Sequence, residues 1–169
     1  MSNAISLRLV YTVMGIGSLA ITLFLGSCHQ DKIVLSQETR NGIIKDVRNT
    51  LEEYVSAIEE HGILAELNYL DHSPDFFWIP PGYEHPIYYD SVESVIKLNA
   101  TRFKSVVNSF DSLQVIPLSE RLAIYTCKLQ SVITDTSGQV TEVGLIETGV
   151  MIKRKDGWKL LSGQTSLLN

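Results

Sequence analysis

The chain holds only two cysteines, Cys28 and Cys127, in 169 residues, too few for a disulfide framework. Its four histidines (His29, His61, His72 and His85) show no metal-ligand spacing, so no bound metal is expected. A glycine-rich phosphate loop and a nucleophile elbow are both missing, and no cofactor is expected. Basic residues are the minority: 14 Lys and Arg stand against 19 Asp and Glu, for a formal charge of −5 and a pI near 5.3. That balance excludes a nucleic-acid partner, whose phosphates demand a basic face. No low-complexity tract and no internal repeat is visible. What is present is an ordinary globular composition, 44% hydrophobic and 20% charged, in a length suited to one domain with an appended segment.

Charge is also missing from residues 9–25, a run of 17 preceded by the single charge of Arg8. A positive residue, an apolar run and then small residues make a secretory leader; a membrane anchor is the competing expectation, since the run sits at the lower limit for a spanning helix. Leu25-Gly26-Ser27-Cys28 favours the leader. It resembles the lipobox of bacterial lipoproteins, in which the cysteine sulfur receives a diacylglyceryl group and the chain is cleaved before it. The resemblance implies a signal peptide over 1–27, lipidation at Cys28, a membrane partner through that lipid, and a place in the cell envelope. Several acyl chains hold a domain on a bilayer far better than one. His29 follows in place of the aspartate that retains many such proteins in the inner membrane, which points to the outer membrane of a two-membrane cell. Residues 28–35 form a tether, its stretch from His29 to Leu35 reaching about 25 Å at most, and 36–169 form the domain.

Within that domain Ile44, Val47, Leu51, Tyr54, Val55 and Ile58 recur at three- and four-residue steps, which predicts a helix over 36–61 ended by Gly62. A second, shorter helix is predicted over 63–70, burying Leu64, Leu67 and Leu70. Short strands follow over 75–79 and 87–89, separated by Pro80-Pro81-Gly82. Asp90-Ser91-Val92-Glu93 has the form of a capping box and opens a third helix ending near Val107, with Phe103 and Val106 inward. Strand-like runs occupy 112–118 and 122–133. The last piece, 140–168, is two long runs joined at Asp156-Gly157, a strong hairpin signal. Helices early and long antiparallel strands late predict an α+β fold, a strongly curved sheet with helices on one face and a cone-shaped hollow between them.

The order of elements resembles the nuclear transport factor 2-like superfamily, in particular its SnoaL-like branch. Asp75-Phe76-Phe77-Trp78-Ile79-Pro80-Pro81-Gly82, Tyr89-Asp90-Ser91-Val92-Glu93-Ser94-Val95 and Asp156-Gly157-Trp158-Lys159-Leu160-Leu161 with the later Ser166 carry the likeness. It spans about residues 36–168 and implies the cystatin-like α+β roll, a pocket in the cone, and frequent homodimers. Enzymes of the branch often place a histidine or aspartate on the last strand; the position that matches here is Gln164, an amide that orients a ligand but moves no proton at neutral pH.

The final hairpin decides which side chains face the hollow. A three-residue turn with Arg154 opposite Trp158 puts Trp158, Leu160, Ser162, Gln164 and Ser166 on one face with Ile146, Thr148, Val150 and Ile152. A two-residue turn shifts pairing by one and brings Glu147 inward instead. The three-residue turn is expected, because it keeps a carboxylate out of the interior. Aromatic residues Trp78, Tyr88, Tyr125 and Trp158 then line an apolar pocket whose polar groups are Thr148, Ser162, Gln164 and Ser166. Cys127 is expected as a small buried hydrophobe. The leading expectation is a lipid-anchored domain that binds a small, largely apolar or aromatic molecule without catalysis. The second is an isomerase, cyclase or dehydratase using Asp71, Asp90 or Glu147 as base, and the third a homodimeric interaction module.

Overall fold

A computed structural model describes residues 35–168, so the expected leader and Cys28 lie outside the described residues. Helix α1 (Gln37–His61) begins where Ser36 Oγ accepts the Thr39 backbone N–H at 3.1 Å, which satisfies one of the free donors of the first turn. It stops at Gly62, whose φ of 82° favours glycine. Ile43, Val47, Leu51 and Ile58 form the buried stripe, with Ile44 only half-buried beside it. Burying each such aliphatic side chain contributes about 1.5–3 kcal/mol.

The segment after Gly62 is not an α-helix but a short 3₁₀ helix, Ile63–Asn68. Side chains three apart eclipse in such a helix; this one ends at Asn68, and Ile63 with Glu66 is the row turned inward. Leu64 is 47% exposed and Ala65 is buried, a correction to the expected Leu64–Leu67–Leu70 face. Leu70 does reach the core and bridges Leu160.

Strand β1 (Phe77–Ile79) runs parallel to the last strand. The short strand expected over 87–89 does not form: Ile87 makes one isolated bridge with Trp78, and helix α2 (Tyr89–Ala100) already starts two residues later. The capping box is not made either. Asp90 lies inside the first turn, and the flanking Tyr88 offers no side-chain hydrogen bond. The helix ends at Ala100, so Phe103 and Val106 belong to strand β2 (Phe103–Ser119) instead of to a helix. Their three-residue spacing is a helical one; in the strand the irregular pairing between Phe103 and Ser105 puts both on one face, and the β-branched pair Val106-Val107 favours the strand.

Strands β2, β3 (Leu122–Asp135), β4 (Val140–Arg154) and β5 (Gly157–Leu167) form an antiparallel meander in a five-stranded sheet of order β1-β5-β4-β3-β2. Irregular pairing at Phe103/Ser105, Phe110/Ser112 and Pro117/Ser119 in β2 and at Val150/Met151 in β4 bends the strands locally. The fold is the expected α+β class, a curved sheet covered by helices on one face. Val47, Leu51, Ala123, Tyr125 and Met151 are at most 1% exposed between α1 and the sheet. Cys127 joins them as a buried thiol, with burial and the nearby Glu147 pushing it up to about 12.

Asp71, one of the candidate bases, is spent on architecture. Arg154 donates to both of its oxygens at 2.7 Å, and Ser73 Oγ adds a bond at 2.5 Å. The Arg154 hydrogen bond holds the carboxyl below its ordinary 3.8 against the opposing effect of burial. Asp71→Ala is expected to cost about 2 kcal/mol, less than a fully buried pair because the Arg154 side chain stays 32% exposed. Because the folded carboxyl is depressed, the contribution is present above pH 3.8 and disappears as pH falls below it. Urea unfolding of wild type and variant at neutral pH and near pH 3 checks both the size and the sign.

Candidate functional site

The last hairpin turns on Lys155 and Asp156 alone, since Arg154 pairs with Gly157, whose φ is 118°. This corrects the expected three-residue turn. A slip of one residue sends each side chain of β4 to the other face, so Leu145, Glu147, Gly149 and Met151 face the helices while Thr148 lies on the far side. Along β5, Met151 pairs with Leu160 but Val150 pairs with Ser162, so Leu161 is an extra residue in the strand. That bulge reverses the alternation once more. Trp158 and Leu160 stay buried as expected, whereas beyond the bulge Thr165 is buried and Gln164 and Ser166 are exposed.

Two facing glycines hold the site open to aromatic rings. Gly149 and Gly163 are cross-strand partners. A Cβ on Gly149 would come 2.7 Å from the Tyr125 ring, and one on Gly163 would come 2.7 Å from the Trp78 ring and 2.5 Å from the Thr148 carbonyl oxygen. Bare backbone at both positions lets Tyr125 and Trp78 lie against the sheet. Tyr125 then donates its hydroxyl to Glu147 Oε1 at 2.5 Å. Thr165, paired with Glu147 across the strands, donates to Oε2 at 2.9 Å and accepts Trp78 Nε1–H at 3.0 Å. Burial raises the Glu147 carboxyl above the ordinary carboxylate range, and the Tyr125 and Thr165 hydrogen bonds oppose that rise.

A second carboxyl comes from the 3₁₀ helix. Glu66 is pushed up to about 7, mainly by burial, with the Tyr54 hydroxyl opposing the rise and the charge of Glu147 adding to it. Both glutamates line one cavity of about 270 Å³ enclosed by the second half of α1, the 3₁₀ helix, the β1 strand and its following loop, α2 and the inner face of the sheet. Most of its wall is apolar: Leu51, Ile58, Ile96, Val106, Phe110 and Leu129 are representative. Among the described residues no lysine, arginine or histidine contributes to it.

Of the residues singled out in the sequence, Trp78 and Glu147 line this cavity, and Tyr125 supports Glu147 from behind. Tyr88 is 62% exposed on a separate groove with His72 and Asp90. Thr148 is on the outer face, bonded to Thr126 at 3.1 Å. Gln164 and Ser166 border an open groove with the loop after β1. Ser162 is buried opposite Phe77 and Val150. Trp158 packs in the core under Lys153. The expectation of a hollow without a proton-transferring group is thereby corrected: Glu66 and Glu147 both line it. Glu66 and Thr165 were not legible as site residues; Tyr54 was visible only as part of the α1 stripe. Among the described residues no group of three or more His, Cys, Asp or Glu could hold a metal.

A curved sheet closed by helices over an acidic, apolar cavity defines a nuclear transport factor 2-like α+β domain. The SnoaL-like domain family matches residues 47–169, and the chain belongs to that family. No curated protein matches it. Among solved structures, a provisionally named scytalone dehydratase from Novosphingobium aromaticivorans superposes with a TM-score of 0.70 at 10% identity, covering 79% of this chain and 89% of that one. A nuclear transport factor 2-like superfamily protein from Salmonella enterica gives 0.65 at 14% identity, covering 76% and 93%. A type 2 hexachlorocyclohexane dehydrochlorinase gives 0.63 at 9%, covering 79% and 90%. At these identities the likeness is one of fold.

The raised Glu66 carboxyl makes stability depend on pH. Between its ordinary 4.5 and its folded value of about 7 the native state binds a proton that the unfolded chain has lost, so stability falls as pH rises across that window and levels off above it. Glu66→Gln is expected to flatten the fall between pH 4.5 and 7, read as urea midpoints of variant and wild type, while the same-direction contribution of Glu147 remains.

Proposed function

We propose that the domain takes a small, largely apolar molecule into the cavity and moves a proton on it, Glu66 being the exchanging acid or base and Glu147 the fixed electrostatic partner. One observation carries this: two carboxyl groups from different elements line the same apolar cavity. A volume of about 270 Å³ lies just below the range for drug-sized ligands, so the molecule is small. A general base works best when its proton affinity lies near the working pH, and Glu66, at about 7, meets that condition. Dehydration and dehydrochlorination, the reactions named for two solved structures of similar fold, are both eliminations that remove a proton. Binding without turnover is the alternative, favoured by the fact that both Glu147 oxygens already accept hydrogen bonds.

A neutral aromatic probe with one acidic C–H separates the two. In 5-nitrobenzisoxazole a base takes the ring proton, the N–O bond breaks, and the pair ends as a coloured phenolate. The chain is expected to accelerate this by about 100-fold over free carboxylate, rising as Glu66 ionises through pH 7 and falling at least tenfold in Glu66→Gln. Absence of any acceleration by folded wild type leaves binding alone.

We also propose that lipidated Cys28 moors the domain to the cell envelope, on the outer membrane where there are two, as the lipobox-like Leu25-Gly26-Ser27-Cys28 supports. Intact mass of the full chain made in a bacterial host is expected to show cleavage before Cys28 and an added diacylglyceryl group; a free thiol there refutes it.

A further inference from the structure

The charge census of the cavity wall goes further than its acid–base chemistry. Among the described residues two glutamates face it and no cation does. The Trp78 N–H is taken by Thr165, and the Tyr125 hydroxyl by Glu147. On α1, Arg48 is turned to the Leu113 carbonyl at 2.6 Å and takes no part in the wall. An organic anion entering here meets like charge and no counter-charge, in surroundings where burial strengthens the repulsion.

A second, independent feature points to a ligand. Asn108 and Ser131 are cross-strand partners on the same wall. Ser131 is only 4% exposed and Asn108 is half-buried, and together they add a hydroxyl and an amide to an otherwise apolar stretch of the wall. From that position these two can meet a polar group of whatever occupies the cavity. The rings of Tyr54, Trp78, Phe103 and Phe110 also belong to the wall, and aromatic faces attract a desolvated cation.

We infer that the occupant is an apolar amine, bound as its ammonium ion between Glu66 and Glu147 with its hydrocarbon body among the apolar side chains. The inference rests on the cavity being the ligand site, and not on turnover. An ammonium ion has three N–H donors and supplies the counter-charge that the two carboxyl groups lack. In its presence both glutamates stay ionised, which is the form a base needs.

Three probes with one carbon skeleton test this on the full chain in mild detergent near pH 8: cyclohexylmethylamine, cyclohexylmethanol and cyclohexanecarboxylate, each titrated calorimetrically. The amine is expected to bind at least about tenfold tighter than the alcohol, and the carboxylate not at all. Glu66→Gln should weaken the amine about tenfold and leave the alcohol unchanged; Glu147→Gln, which removes the charge and keeps an acceptor for one of the two donors Tyr125 and Thr165, serves as the second variant. Carboxylate binding as tight as the amine, or amine binding indifferent to both substitutions, overturns the inference while leaving the cavity a ligand site. If Leu129→Trp, which fills the cavity, does not weaken whichever probe binds, the cavity assignment itself fails.

Discussion

The register between β4 and β5 is the constraint on which the rest depends. Pairing of Arg154 with Gly157 admits only Lys155 and Asp156 to the turn, and the inward or outward assignment of each β4 side chain follows from it. Asp71 locks that register from outside the hairpin by gripping the guanidinium of Arg154 at two points. The same segment is sewn to β5 through the Asp71 N–H on the Leu160 carbonyl and the Leu160 N–H on the Tyr69 carbonyl, both 2.8 Å. The ion pair thus fixes the hairpin and the exit of the 3₁₀ helix together, and with them the two glutamates that these elements carry.

A buried carboxylate beside a tyrosine and a threonine is costly unless its oxygens are satisfied. The sheet supplies both donors at no expense in flexible loop. Tyr125 comes from β3 and Thr165 from β5, the strands on either side of Glu147. Both reach it because Gly149 and Gly163 leave room for the rings of Tyr125 and Trp78. Replacing either glycine would push a ring away from the sheet and disturb the chain of bonds from Trp78 through Thr165 to Glu147.

Much of the architecture was legible in local signals with a single physical meaning. Ser36 and Gly62 bound α1, Asp156-Gly157 marks the hairpin, and the grouping of helices before strands predicts the α+β class. The site was less so. Whether Glu147 or Thr148 faces inward depends on one residue of turn length, and the rule that interiors avoid carboxylates chose wrongly because it could not see Tyr125 and Thr165 waiting as donors. The extra residue at Leu161 carries no signature in the sequence, yet it alone turns Gln164 and Ser166 outward and Thr165 inward. Glu66 was hidden because the leucines point to Leu64, Leu67 and Leu70 as the buried side, whereas the row that meets the cavity is Ile63 with Glu66.

The two glutamates differ in how they are held, and this difference gives the site a division of labour. Glu147 sits on a central strand with each oxygen bonded, so its charge is anchored and its proton affinity is restrained by its donors. Glu66 rides on a six-residue 3₁₀ helix and is opposed mainly by burial, with Tyr54 as partial relief and Glu147 as a further push upward. A like charge next to a desolvated carboxyl raises the proton affinity of the less well-satisfied partner. The strand carboxylate therefore acts on the helical one, and anything that neutralises or displaces Glu147 lowers the proton affinity of Glu66. The sheet register, by turning Glu147 inward, thus adds to the rise that burial imposes on Glu66.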